Sequence, residues 1–243
     1  DMGFFIVPPD QPRVPVKITA YPGESDPGPF PIPNNAPIEG WPIHGASLEQ
    51  IQPHGKGDRH MIVVDPHRGK LHEFFVARLT ESGWQADQAS TFDLTSNRLR
   101  PDGWTSADAA CLPIFPGVVR FDECQRGEIT HAIRVTARKT RRAYVYPARH
   151  FVSRHEDPNL PRMGERLRLR DDFDVSNFPP HAQVVLRAMK KYGLIVADNG
   201  VSWAISVAPD RRIRGLETLN RIKGRDFEVV VPTSEHERLR RVD

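Results

Sequence analysis

A chain of 243 residues, 38% hydrophobic and 27% charged, can bury one large core, and this balance argues against a disordered or membrane-embedded protein. No apolar run is long enough to span a bilayer. The net charge is only +3, so an anionic partner is expected only where the basic residues cluster.

Residues 1–57 hold 12 of the 23 prolines. The stretch Tyr21–Pro42 cannot be helix, because proline lacks the amide donor and restricts the residue before it. Nor can it be a central strand. It reads as an extended arm laid over the same domain and anchored by Phe30, Ile32, Ile38 and Trp41. Phe4–Val7 and Val14–Ile18 are its strand-like pieces. Residues 58–243 read as the β-rich globular part. No secretory leader precedes Asp1, so an exported form is expected to be already processed.

From Met61 onward, short runs rich in Val, Ile, Phe and Tyr are separated by turn residues at antiparallel spacing. They are Met61–Val64, Lys70–Leu79, Gln85–Leu94, Val118–Asp122, Ile129–Ala137, Ala143–Pro147 and Arg166–Phe173. In the last, Leu167 and Leu169 alternate with Arg166, Arg168 and Arg170, as in a strand with one wet face. His181–Tyr192 is the clearest helix, with Pro179 and Pro180 at its start and Gly193 as its stop. Leu194–Ala197 and Trp203–Val207 read as a hairpin around Asp198-Asn199-Gly200. Gly215–Ile222 reads as a second short helix and Phe227–Val231 as a last strand, and the charged tail after Pro232 is expected to fray. The expected fold is therefore mostly β: an antiparallel β-sandwich or barrel-like domain, with one helix near residues 181–192 packed on it and the proline-rich arm around it.

The most distinctive segment is Phe92–Glu123. Pro101-Asp102-Gly103 is a turn. Thr105 or Ser106 is expected to cap a short helix with Asp108 in its first turn, where a carboxylate meets free amides. Asp108 then either serves that cap or stands at the rim of a cleft. Trp104 beside the glycine turn suits stacking on a sugar ring. Cys111 and Cys124 have no C-x-x-C spacing, which excludes a structural zinc knuckle and leaves free thiols or a bridge open. The histidines show neither H-x-H nor H-E-x-x-H spacing, so no metal or cofactor is expected. His131 alternates with Ile129 and Ile133 and so shares their inward face. Arg134, Arg138, Lys139, Arg141, Arg142, Arg149 and Arg154, interleaved with Tyr144, Tyr146 and His150, form either a solvated hairpin tip or a face for an acidic polymer. No nucleic-acid module is recognisable, so nucleic acid is not an expected partner.

The motifs GDRH-x-x-VVD, L-x-E-x-F, LRPDGWTSADAA-x-LPI-x-PG-x-VR-x-DE, I-x-HA-x-R and YG-x-I-x-ADNG run from Gly57 to Pro147 and on to Trp203. In them the chain resembles a family of exported bacterial proteins with no assigned activity. The resemblance implies export and a shared domain, and no particular reaction. The family pattern has glycine at position 111 and an apolar residue at 124. Two cysteines departing from it together imply an added Cys111–Cys124 disulfide. The polar motif positions here are Asp58, His60, Asp65, Glu73, Asp108, Asp122, Glu123, His131, Arg134, Asp198 and Asn199.

Such residues suit polysaccharide cleavage. Paired carboxyls can protonate a glycosidic oxygen and activate water, or a His or Tyr can abstract a proton beside a uronic carboxylate. The expected function is a secreted or extracytoplasmic polysaccharide-cleaving enzyme, a glycoside hydrolase or polysaccharide lyase, acting as a monomer without cofactor or membrane contact. Asp108, His131, Asp122 and Glu73 are the catalytic candidates. Trp104, Arg134, Tyr146 and His150 are the candidates for binding a polysaccharide, acidic in character. Since neighbours on a strand face opposite ways, Asp122 rather than Glu123 is expected to share a cleft with His131. The alternative is a non-catalytic carbohydrate-binding or cell-surface interaction module.

Overall fold

In the computed structural model, residues 1–42 and 45–230 are described; Val231 and the charged tail lie outside them. In chain order the regular elements are β1 (Phe5–Ile6), β2 (Val16–Ile18), α1 (Leu48–Ile51), β3 (Met61–Asp65), β4 (Lys70–Phe75), β5 (Arg78–Thr80), β6 (Gly83–Ala86) and β7 (Gln88–Asp93). Then come α2 (Phe121–Arg126), β8 (Ile133–Ala137), β9 (Arg166–Leu169), α3 (Pro180–Lys191), β10 (Leu194–Asn199), β11 (Ala204–Ile205) and β12 (Phe227–Val229). Strand outweighs helix, and the fold is mostly β.

The strands make three sheets, ordered β1-β3-β4-β7, β2-β6-β5 and β11-β8-β10-β9-β12. The pairs β3/β4, β4/β7 and β5/β6 are antiparallel, as alternating short runs joined by tight turns should be. The purely antiparallel expectation fails elsewhere, because β1 runs parallel to β3, β2 to β6 and β8 to β10. The arm causes the first two, since it lies alongside distant strands rather than folding back through a hairpin. The third follows from the long crossover through β9 and α3, which a parallel pair requires.

Among the described residues no barrel closes through hydrogen bonds, since β11 and β12 are the edges of the five-stranded sheet. Trp203, one residue before β11, nonetheless stacks on Phe227, the first residue of β12, with centroids 5.4 Å apart.

The helix expected over 181–192 is α3. Its buried stripe of Ala182, Val184, Val185, Leu186, Ala188 and Met189 packs on the five-stranded sheet, and Gly193 ends it at φ 81. The expected 194–207 hairpin does not form: β10 and β11 both pair with β8, which lies between them. Val118–Asp122 is not a strand either. Val119 bridges Val207, and α2 begins at Phe121. Asp122 and Glu123 sit in the first turn of α2, where the helix dipole favours them, and Gly127 stops it at φ 83. Lys70–Leu79 is broken at Val76, whose φ of 54 separates β4 from β5. Tyr144 makes only an isolated bridge to Met163, so 143–147 is not a strand. Residues 216–221 form a 3₁₀ helix where a short helix was expected.

Three clusters make up the core. The largest joins α3 to the five-stranded sheet. In the second, arm residues Val7, Phe30, Ile32, Ala36 and Ile38 pack on Met61, Val63, Phe74 and Trp84. The third, with Ile62, Leu71, Ile114 and Val118, joins the N-terminal sheet to the segment that leads into α2. Each such large side chain, fully buried, contributes about 1.5–3 kcal/mol.

Candidate functional site

Where the third cluster meets β8, a cleft of about 520 Å³ opens between the 92–100 loop, the 111–117 segment, His131, Tyr146-Pro147 and Arg166. Its walls are cationic. Arg98 and Arg166 line it, are exposed, and have no side-chain partner among the described residues. Arg100 lies deeper, held by Asp26 and by the Glu24 carbonyl at 2.7 Å, with Phe92 and Trp104 rings against its guanidinium. Asp93 is the one carboxylate on the lining, and it pairs with Lys70 at 3.4 Å. Hydrogen bonds from Thr95 hold Asp93 down to a pKa of about 2.

Arg134 on β8 forms part of the floor, and its guanidinium is fully engaged from behind. Its Nε and Nη2 donate to the two Asp108 oxygens at 3.0 and 2.8 Å. Nη1 donates to Ser206 Oγ at 2.9 Å, and Nη2 also reaches Asp198 at 3.2 Å. The register shift between Val196 and Asp198 turns Asp198 inward to make that contact, as a bulge does. Two carboxylates thus share one cation. Burial, then the charge of Asp108, pushes Asp198 up to about 7.

Glu73 is fully buried on β4, and it accepts hydrogen bonds from the Ile114 and Phe115 amides at 2.8–2.9 Å. Burial raises it to about 7 against the pull of those amides. His60 bridges Glu39, at 2.8 Å, and the Ala107 carbonyl, also at 2.8 Å. Burial alone would lower the pKa of His60, but its pairing with Glu39 outweighs this and raises it.

The helix α2 decides which acid meets His131. Glu123 Oε1 lies 2.9 Å from His131 Nε2 and accepts from Arg120 Nη2 at 2.6 Å. Asp122 instead faces solvent, 65% exposed, beside Arg126 at 3.6 Å and on a separate cleft with Trp41 and Arg212. The expected choice of Asp122 is therefore corrected, because 121–126 turns as a helix rather than alternating as a strand. The other ring nitrogen of His131 lies 2.9 Å from the Ala132 carbonyl. Nδ1 thus meets the carbonyl and Nε2 the carboxylate. Neither nitrogen is left open as a base.

No family model, curated protein or solved structure matches this chain.

Of the catalytic candidates, only His131 lines the cleft; Asp108 and Glu73 are buried behind it and Asp122 is elsewhere. Asp108 does not cap a helix, since 107–108 is a bend leading into a turn at 109–110, and the Asp108 amide donates to Ser106 Oγ at 3.0 Å. Arg134 and Tyr146 line the cleft. Trp104 packs against Arg100, and His150 is tied to the Ala109 carbonyl at 2.9 Å.

The expected disulfide is absent: both thiols are free and buried. Cys124 is part of the core under α3, whereas Cys111 lines the cleft in a left-handed turn at φ 59. Burial raises the two thiols to about 12 for Cys111 and 11 for Cys124, so they stay protonated.

The sequence singles out neither Arg98, Arg166 nor Ser206 as a site residue, and it names Asp198 only as one of the polar motif positions. The free charge of Arg166 was visible as the wet face of β9, but nothing local tied it to the 92–100 loop. Among the described residues no group of three or more His, Cys, Asp or Glu is arranged for a metal ion, and no helix is long and apolar enough to cross a membrane.

Proposed function

We propose that the protein binds an acidic polysaccharide in the cleft lined by Arg98 and Arg166, outside the cytoplasm as the motif resemblance implies. One observation carries this reading. Two guanidiniums without side-chain partners among the described residues share a cleft with His131, while the carboxyls suited to cleavage are engaged in buried hydrogen bonds behind it. A carboxylate-bearing sugar would supply the acceptors that Arg98 and Arg166 lack, and charge-assisted bonds of this kind are the strong ones. Most glycoside hydrolases use two carboxyls flanking the scissile bond, and among the described residues Asp93 is the one carboxylate on this cleft. The elimination chemistry of a lyase is the second reading, favoured by Tyr146 lining the same cleft as the cations.

A panel of acidic and neutral polysaccharides, measured by calorimetry and scored for new reducing ends and unsaturated products, tests both. Acidic polymers should bind, more weakly as salt rises. Arg98→Ala and Arg166→Ala should each weaken binding about tenfold, from the loss of a charged hydrogen bond. Equal binding of neutral and acidic polymers, or no effect of either substitution, would overturn the proposal. Unsaturated product that disappears in Tyr146→Phe would establish the lyase reading.

A further inference from the structure

A second groove, of about 410 Å³, is lined by Arg142, Phe151, Val152, Ser153 and Arg154. No carboxylate is among those residues. Arg142 is 59% exposed, and its nearest acid, Glu156, is 82% exposed and 3.8 Å away, a pairing worth little in water. Arg154 is exposed and has no side-chain partner among the described residues. The backbone beneath is held in place: the Arg142 amide donates to the His155 carbonyl at 2.6 Å and the Arg141 amide to the Pro161 carbonyl at 2.8 Å. With the backbone braced, an anion that binds here has only the two side chains to order.

This groove and the cleft flank one segment of chain. Arg142 precedes the cleft residue Tyr146 by four positions, and Phe151 follows Pro147 by four. Four residues span at most about 14 Å, within reach of an oligosaccharide of a few units. The ring of Phe151 is already stacked with His150 (6.1 Å) and Tyr144 (6.3 Å). The groove therefore presents cations rather than the open aromatic platform that single-stranded nucleic acid stacks upon.

We infer that the groove at Arg142 and Arg154 is a second subsite for the same acidic glycan chain that occupies the cleft, so that one chain spans both. This rests on the proposed reading of the cleft and adds to it a dependence on chain length. Two linked sites turn the second contact into an intramolecular one and raise apparent affinity without changing either site.

The test is calorimetry with acidic oligosaccharides from disaccharide to decasaccharide, on the parent, on the Arg142→Ala/Arg154→Ala double variant and on Arg98→Ala/Arg166→Ala. Both pairs are surface residues, so melting temperatures should match the parent. Disaccharide should bind the parent and the Arg142/Arg154 variant equally. With length the parent should gain about 10²-fold, and that gain should vanish in the variant. A parent with no length dependence, or a variant that keeps the full gain, would overturn the second subsite while leaving the cleft reading standing. Failure of every length to bind would overturn both. Tighter binding of single-stranded oligonucleotides, lost in the Arg142/Arg154 variant, would overturn the glycan as occupant.

Discussion

Glu73 shows what a buried carboxyl does when its hydrogen-bond partners are backbone amides. Its pKa in the fold, about 7, stands above the ordinary 4.5, because burial outweighs the two amide hydrogen bonds. Between those values the folded chain holds a proton that the unfolded chain has released. The contribution of Glu73 is thus fully present below the unfolded value and is lost as pH rises through the folded one. Denaturant unfolding from about pH 5 to about pH 8 should show stability falling, with Glu73 accounting for up to about 3 kcal/mol of the fall. Glu73→Gln keeps an acceptor for the Ile114 and Phe115 amides and should flatten that slope. A variant with the parent's slope would show that another group is responsible. Asp198 shifts in the same direction, through its own burial and the charge of Asp108 against the pull of Arg134, so it remains active in the variant.

At the scale of elements, the turn 115–117 is pressed against β8. A methyl group on Gly117 would sit 2.7 Å from Arg134 Cβ and 2.9 Å from its backbone nitrogen. Backbone cannot swing aside as a side-chain tip can. Gly117→Ala should therefore cost about 1–3 kcal/mol and lower the melting temperature. At Gly23 a methyl group meets nothing within 4 Å, and Gly23→Ala serves as the neutral control. Equal melting of the two variants would mean the turn can move away from β8. The same scale explains the exchange of Asp122 for Glu123. The run Phe121–Gly127 carries acids at one end and Arg126-Gly127 at the other, the marks of a short helix. Its Val-rich approach, Val118-Val119, looked like the start of a strand.

For the whole molecule the arm is structural. β1 extends one sheet and β2 another, Phe30, Ile32 and Ile38 are buried, and Asp26 and Glu24 hold Arg100 behind the cleft. Three such side chains at about 1.5–3 kcal/mol each rival the net stability of an ordinary domain, about 5–15 kcal/mol. Deleting residues 1–40 should abolish soluble expression or cooperative melting. A truncated chain melting like the parent would show the arm to be dispensable. The predominance of strand and the exposed basic loops are properties of the same assembly, since the cations that line the cleft come from the 92–100 loop, β8 and β9.

By itself the sequence determined what depends on neighbours a few residues apart. Proline kept the arm extended, Gly193 stopped α3, and alternation set Leu167 and Leu169 inward with Arg166 outward. Asp108, Glu73, His131 and Arg134 could be named as polar residues of interest, because charged groups amid apolar runs need partners. Which partners they found was decided only by tertiary structure. Asp108 and Arg134 are 26 positions apart, and Asp198 reaches the pair through a bulge that no local pattern announces. Whether a cysteine meets another cysteine, whether a strand pairs with its sequence neighbour, and whether a carboxyl faces a cleft or lies behind it are long-range matters. They depend on which distant surfaces pack together, and packing free energy is summed over the whole core rather than over any one segment.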